Sequence, residues 1–303
     1  MMEINLEEVT SRIEKFIEEK MREFHREGVI LGMSGGVDSS LVATLAVRAL
    51  GPDKVLALLL PERDSSPDSK TDALQEIERL GIQYREFKMA PVLKKIGIYR
   101  LLPLRVLGLR KFKETVVKKY HEAQRKEIGE MPFQAGLLGT KDLGDSKKLI
   151  DSGNAYTRIK HRLRLLTLYY FADLENRLVL GTTNKSESMT GFVVKWGDNV
   201  ADIEPILPLY KKQVWQLSSY VGVSQNIIEK APSPDLIPGI VDEIALGIEY
   251  NTLDKILWGI EKGWDNQRIT SEFNLENEQI DHVRELVRRS QHLREFPPSP
   301  ILD

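Results

Sequence analysis

No cysteine occurs among the 303 residues, which excludes a disulfide framework, a thiolate zinc site, a Cys nucleophile and thiol-relay chemistry. A surplus of one charge is lacking too. Lys plus Arg total 43 against 45 Asp plus Glu, a net charge of −2, so the overall balance points to neither nucleic acid nor an acidic membrane as partner. No apolar run approaches the ~18 residues of a membrane span, and Met1 to Lys20 interleaves acidic and basic residues with its apolar positions. Neither a signal peptide nor a transmembrane helix is expected, and a cytoplasmic location is. What is present, 41% hydrophobic and 29% charged residues, suits a globular chain that buries a sizeable core.

Leu6, Val9, Ile13, Phe16, Ile17, Met21 and Phe24 recur at helical spacing behind Asn5, with Glu8 three residues on, and predict a capped amphipathic helix ending at Gly28. A buried strand, Val29 to Leu31, then runs through the glycine-rich turn Ser34 to Ser40 into a helix stopped by Gly51. Val55 to Leu60 reads as a second strand, Thr71 to Leu80 as a helix, and Gln83 to Phe87 as a third strand. A helix over Ile159 to Leu174 feeds a further core strand at Leu178 to Leu180. This βαβαβ order predicts an α/β fold, a doubly wound parallel sheet with helices on both faces. A helical tail follows, with Leu275 to Phe296 as its longest helix.

One domain over residues 1–303 is expected, carrying a basic insertion and a loop at about 94–152. Lys94 to Lys126 holds eleven Lys or Arg against two Glu, a local charge of 11 − 2 = +9. No known RNA-binding motif accompanies its three scattered aromatics, Tyr99, Phe112 and Tyr120, so a solvated helix face or a contact for a small anionic substrate is preferred to RNA binding. Met131 to Ser152, with Gly136, Gly139 and Gly144, reads as a long loop.

The turn Ser34-Gly35-Gly36-Val37-Asp38-Ser39-Ser40 lies between a strand and a helix. Consecutive backbone N–H groups and the positive end of the helix dipole meet there, which makes an anion site. The sequence has no G-x-x-x-x-G-K-[ST], so this is not the loop that grips β- and γ-phosphates with a lysine. Amide and hydroxyl donors around one acid suit a diphosphate leaving group and the Mg²⁺ that neutralises it.

The motif resembles the pyrophosphate loop of the N-type ATP pyrophosphatases, which activate an oxygen of the acceptor as an adenylate. A second block narrows the resemblance to ammonia-dependent NAD⁺ synthetase: Gly181-Thr182-Thr183-Asn184-Lys185-Ser186-Glu187, Gly191-Phe192, Lys195-Trp196-Gly197-Asp198, Ala201-Asp202-Ile203, Pro205, and Leu209 to Val214. A third block continues in order from Pro232-Ser233-Pro234-Asp235 through Asp242-Glu243 to Tyr250 and Asp254. The resemblance implies an adenine nucleotide alpha hydrolase-like fold, ATP as co-substrate, Mg²⁺, and amidation of deamido-NAD⁺ by ammonia with release of AMP and diphosphate. It implies that Ser34, Gly35, Gly36, Val37, Asp38, Ser39, Ser40, Thr182, Lys211 and Ser233 bind ATP, with Asp38 and Lys211 catalytic and Asp38 and Glu187 on the metal. Arg162, Arg164, Lys195, Asp202 and His292 match the dinucleotide pocket, and a homodimer is implied as well. A carboxylate attacking the α-phosphate needs cations against anion–anion repulsion, a positioning and electrostatic task rather than one for a protein nucleophile.

Three departures fall on the acceptor side. Asn199-Val200 replace the usual two glycines, Leu293 replaces the lysine after His292, and Thr157-Arg158 replace a Gly-Asn that stands four residues upstream as Gly153-Asn154. A related adenylating ligase acting on another carboxylate therefore stays open, as does a nucleotide- or RNA-binding protein without turnover. With no Cys for a glutaminase, nitrogen is expected as free ammonia or from a separate glutaminase partner.

Overall fold

The computed structural model describes residues 3–101, 132–137, 146–233, 235 and 241–300. The basic segment beyond Leu101, and Pro234 and residues 236–240 of the third block, lie outside them. Asn5 opens α1 (Leu6–Glu23), its Oδ1 accepting the Glu8 N–H at 3.1 Å. This helix stops before Gly28 because His25 turns the chain in a left-handed conformation (φ 53°) and Gly28 already opens β1 (Gly28–Gly32). There follow α2 (Val37–Leu50), β2 (Val55–Leu59), α3 (Pro67–Leu80), β3 (Gln83–Glu86) and α4 (Ala90–Ile96). The chain continues with α5 (Pro132–Leu137), α6 (Ser146–Leu174), β4 (Arg177–Val179) and α7 (Lys185–Thr190). Last come α8 (Lys211–Tyr220), α9 (Gln225–Ile228), α10 (Asp242–Leu246), α11 (Tyr250–Glu261), α12 (Asn266–Phe273) and α13 (Asn277–Arg294).

The four strands are parallel in the order β3-β2-β1-β4, with Ile30 opposite both Leu56 and Val179. Alternation along each strand decides which helices cover which face. Val29, Leu31, Val55, Ala57 and Leu178 point into the main core with α1, α2, α3 and α8, while Ile30, Leu56 and Val179 meet Ala172 and Leu168 of α6 on the other face. The doubly wound reading is thus realised. The tail from α10 to α13 closes a second core around Tyr250, Leu253, Leu257, Ile269, Ile280 and Val283.

The long-loop expectation for Met131 to Ser152 is corrected in part: α5 and the first turns of α6 occupy it. Gly153 and Asn154 are weak helix formers, but tertiary contact overrides them. Arg158 Nη2 donates to the Gly136 carbonyl at 2.9 Å, and Ile150 and Tyr156 are buried. No helix among the described residues is long and apolar enough to cross a membrane.

Candidate active site

From β1 the chain crosses to β2 on one side, whereas β4 joins β1 on the other. This is a topological switch point, and the crevice beyond the carboxyl ends of such strands is where open α/β sheets bind ligands. The loops leaving β1 and β4, through Met33 to Gly36 and Gly181 to Thr183, line a cavity of about 1070 Å³ there. That exceeds the ~300–1,000 Å³ of an ordinary single-ligand site.

The glycine turn is held open by its own side chains. Ser34 Oγ accepts the Gly36 N–H at 3.2 Å and sits 3.0 Å from Ser39 Oγ, and the Ser39 hydroxyl donates to the Gly36 carbonyl at 3.1 Å. Gly35 has φ +74°, and a Cβ there would run into the Ser69 carbonyl oxygen, so only glycine lets α3 approach the turn. Ser34, Gly35, Gly36, Val37, Asp38 and Ser39 all line the cavity. Ser40 is fully buried, its hydroxyl spent on the Gly36 carbonyl at 3.0 Å, and it does not reach the cavity wall.

Opposite Asp38 stands Lys211, the first residue of α8, with 1% of its surface exposed. Its Nζ lies 2.5 Å from Asp38 Oδ2 and 3.6 Å from Glu187 Oε1. The backbone below is aimed by a buried relay. Lys211 N donates to Ser186 Oγ at 2.9 Å, Ser186 donates to Asp254 Oδ1 at 2.5 Å, and Asp254 Oδ2 accepts the Lys212 N–H at 2.8 Å. Asn184 Nδ2 donates to Asp38 Oδ1 at 2.9 Å while its Oδ1 caps α7 by accepting the Glu187 N–H. Asp242 completes the group. Its Oδ2 accepts from the Tyr250 hydroxyl at 3.0 Å, and its buried Oδ1 has no hydrogen-bond partner among the described residues.

Three carboxylates therefore face one ammonium. Burial, reinforced by the Asp38 charge, pushes Glu187 well above the usual carboxylate range against the pull of Lys211. Burial likewise raises Asp242 to about 6, although Lys211 and the Tyr250 hydroxyl oppose it. Burial acts to discharge Lys211, but Asp38, Glu187 and Asp242 outweigh it and hold the ammonium above its ordinary value. Thr182 and Ser233 lie on the same cavity wall.

Along α6, Gly153, Asn154, Thr157, Arg158, His161 and Leu165 recur at three- and four-residue spacing and line the cavity. The displaced Gly153-Asn154 is explained here: four residues make about one helical turn, so the pair stays on the cavity face. Arg162 and Arg164 both reach the cavity as well. Arg162 donates to the Lys195 carbonyl at 3.3 Å, whereas Arg164 makes no hydrogen bond or ion pair among the described residues. Lys195 and His292 are brought together, Lys195 Nζ donating to the His292 carbonyl at 2.6 Å. The departures Asn199 and Leu293 also meet, Asn199 Nδ2 donating to the Leu293 carbonyl at 3.1 Å. Asp202 is not brought to the cavity. Its carboxylate accepts from Tyr169 OH at 3.0 Å and from Val179 N at 2.8 Å, tying β4 to α6.

Sequence reasoning missed Glu62, Asp64 and Lys160. These buried charges pair at the cavity edge, Lys160 Nζ lying 2.7 Å from Glu62 Oε1 and 3.2 Å from Asp64 Oδ2. Their signal was a charged run, Glu62-Arg63-Asp64, directly after a buried strand and Pro61.

A parallel sheet with a glycine turn at its switch point, facing a buried lysine among carboxylates across a large cavity, is the architecture of an α/β enzyme. The NAD synthase family model matches residues 9–99 and 115–297. The chain is 44% identical to the NH₃-dependent NAD⁺ synthetase of Thermotoga maritima, over 93% of this chain and 95% of that one. It is 38% identical to the NH₃-dependent NAD⁺ synthetase of Methanocaldococcus jannaschii, over 98% and 97%. Among solved structures it is similar to an NMN synthetase from Francisella tularensis (TM-score 0.72, 25% identity, 99% of this chain and 100% of that one). It is also similar to an NH₃-dependent NAD synthetase from Campylobacter jejuni in complex with the nitrate ion (TM-score 0.68, 25% identity, the same coverage). The chain belongs to the NAD synthase family and is an enzyme of the ligase class.

Proposed function

We propose that this ligase amidates the carboxylate of deamido-NAD⁺ with ammonia, through an adenylate, releasing AMP and diphosphate. The observation that carries the reading is Lys211, buried between Asp38 and Glu187 on a cavity that continues to Arg162 and Arg164. ATP phosphates belong at the Ser34 to Ser39 turn and the dinucleotide along α6. A cavity larger than one small ligand needs is consistent with both being held together. Lys211, already charged and immobile, offsets the repulsion between the acceptor carboxylate and the α-phosphate without rearranging.

Mg²⁺ fits on the chemistry of the donors. Asp38 and Glu187 face the cavity, and the three carboxylates Asp38, Glu187 and Asp242 outnumber the single ammonium of Lys211. Among the described residues no set of three or more His, Cys, Asp or Glu is spaced to hold an ion. Mg²⁺ characteristically uses one or two carboxylates and completes its shell with substrate phosphates and water. Bound by Asp38 and Glu187, it would neutralise the departing diphosphate.

The test is AMP and NAD⁺ formation by purified protein given Mg-ATP, an ammonium salt and deamido-NAD⁺. Equal yields of the two products, absent with Asp38→Ala, are expected. No NAD⁺ from folded protein that binds ATP overturns the acceptor. Likeness to an NMN synthetase, together with Arg158 and Leu293 on the acceptor wall, supports a second reading in which another carboxylate is amidated. Nicotinate mononucleotide in place of deamido-NAD⁺ decides between them.

A homodimer accounts for Leu166, Tyr170 and Leu174, which form a stripe at four-residue spacing on α6 with about two-thirds of each side chain exposed. Leu166→Glu with Tyr170→Glu is expected to turn a dimer into a monomer by analytical ultracentrifugation. A wild-type monomer removes the assignment.

A further inference from the structure

Glu204 belongs to none of the roles above and does not reach the cavity, yet it is built into one cavity wall from behind. Ile203 pairs in parallel with Leu180, and its carbonyl accepts the Gly181 N–H at 2.9 Å. Pro205 favours extended backbone in the residue before it. From there the Glu204 side chain turns back over the loop leaving β4, where its Oε2 accepts the Thr183 N–H at 3.3 Å. Its carboxyl group fills the space that a side chain on residue 181 would need, since a Cβ on Gly181 would collide with it. Gly181 has no positive φ, so glycine serves this close approach here rather than a turn.

Thr183 is fixed from its other side too, its hydroxyl donating to the Asp198 carbonyl at 2.6 Å. Between the two pinned residues stands Thr182, which lines the cavity and has no hydrogen-bond partner among the described residues. The loop is thus tied down at Gly181 and Thr183 and left open to a ligand at the residue between them. Glu204 holds it at a cost. Its Oε1 is buried and has no hydrogen-bond partner among the described residues. Burial raises the carboxyl to about 8, against the Thr183 N–H and together with Asp198, the charged group that faces it. At neutral pH it is therefore an uncharged carboxyl. What it secures is the N–H of Thr183, a residue 5% exposed, which would otherwise be a buried donor without an acceptor.

We propose that Glu204 is a positioning residue for ATP: by holding Thr183 and packing on Gly181 it fixes the loop in the shape that presents Thr182 to the nucleotide. This rests on the ATP half of the reading above. The carboxyl touches no substrate and moves no proton, and it acts through the loop alone. Without it the Thr183 N–H draws the loop toward water, and ATP must reorder that wall before it binds. The cost then falls on affinity for ATP rather than on the chemical step.

Two readouts on the full-length protein keep this apart from the reading it rests on. Wild-type ATP–diphosphate exchange with deamido-NAD⁺ reports on amidation, and its absence while Mg-ATP still binds sinks that reading and leaves the Glu204 test in force. The Kd for Mg-ATP by isothermal titration calorimetry needs no acceptor and reports on Glu204; a wild type that binds no Mg-ATP overturns both. Glu204→Ala is expected to weaken Mg-ATP binding by about tenfold, the order of effect of one buried donor left unpaired. Its exchange rate at saturating ATP should stay within about threefold of wild type, which separates KM from kcat. Glu204→Gln, whose amide oxygen can accept the same N–H without charge, should bind Mg-ATP within about twofold of wild type. Gly181→Ala reaches the contact from the other side, its methyl displacing the carboxyl, and should weaken Mg-ATP about as much as Glu204→Ala. The doubly substituted protein should be no worse than the weaker binder of the two, because both changes remove one hold. The proposal is overturned if Glu204→Ala lowers Tm but binds Mg-ATP as wild type does, if Glu204→Gln is as weak as Glu204→Ala, or if the two losses multiply in the double variant. Should Glu204→Ala not fold, a Gly181→Ala protein that binds Mg-ATP as wild type does overturns it equally, and a tenfold weaker one beside an unimpaired Glu204→Gln supports it.

Discussion

Lys211→Met is expected to lower ATP–diphosphate exchange by about 10³-fold, the upper end of the range for removing one preorganised electrostatic contact. The side chain is 2% exposed, is held by Asp38 at 2.5 Å, and is reached by no competing solvent that would replace it. Stability should fall as well, by about 3–5 kcal/mol, because removing one partner of a buried charge group leaves the others uncompensated. The pH dependence has a definite sign. Glu187 and Asp242 titrate above the ~4 of an unfolded carboxylate, Asp242 at about 6. A group whose folded pKa is raised contributes stability below its unfolded value and loses that contribution as pH rises through the folded value. Without Lys211 both carboxylates rise further. The Tm deficit of Lys211→Met against wild type should therefore be smallest near pH 5 and widen toward about pH 8. A deficit that stays constant with pH would mean that the lysine stabilises the protein through packing alone.

The part of this site carried by local pattern was legible in the sequence. A glycine turn between a buried strand and a helix needs only its neighbours to be recognised, and Ser34 to Ser39 stand at the switch point as expected. Lys211 and Glu187 were found through blocks of ordered motifs, and the residues around them stand in the same blocks, but their roles were not legible there. Asn184, Asp242 and Asp254 act through contacts far apart in the chain, Asn184 reaching Asp38 across 146 residues, and no periodicity encodes that. Ser40 and Asp202 show the converse. Their residue types suit a ligand, yet backbone geometry turns one inward to Gly36 and the other to Val179 and Tyr169. The pattern on α6 failed at its start because Gly153 and Asn154 weaken a helical reading that contact with Gly136 restores. Arg162 and Arg164, two apart on a helix and so not on one face, both reach the cavity because such long side chains can extend to it from its flanks.

Lys160→Met is expected to destabilise the fold by about 3–5 kcal/mol, read from urea unfolding, although methionine nearly matches lysine in volume. Nothing of this residue is exposed. Its ammonium sits 4.0 Å over the Tyr156 ring and contacts Glu62 and Asp64, whose side chains are equally buried. Glu62 also accepts from Tyr99 OH at 3.1 Å, and Asp64 is held by Arg63 and by the Tyr156 hydroxyl, so buried ion pairs and a tyrosine hydroxyl clamp the loop after β2 to α6. Loss of the lysine leaves Asp64 with Arg63 but takes from the buried Glu62 its ion-pair partner Lys160. Adding Glu62→Leu to Lys160→Met should therefore recover part of the lost stability, because it removes a buried charge that has become unpaired. Strict additivity of the two losses would mean that the residues do not act on each other. The consequence reaches the active site. Glu62 lines the cavity, and four residues later the Ser66 N–H donates to both carboxylate oxygens of Asp235 at 2.9 Å. A loosened loop would move the wall beside Ser233, so Lys160→Met should raise the KM for ATP even at temperatures where the protein remains folded. The doubly substituted protein should bring the KM back toward wild type only as far as it brings back stability. Full recovery of one without the other would separate the clamp from the ATP wall.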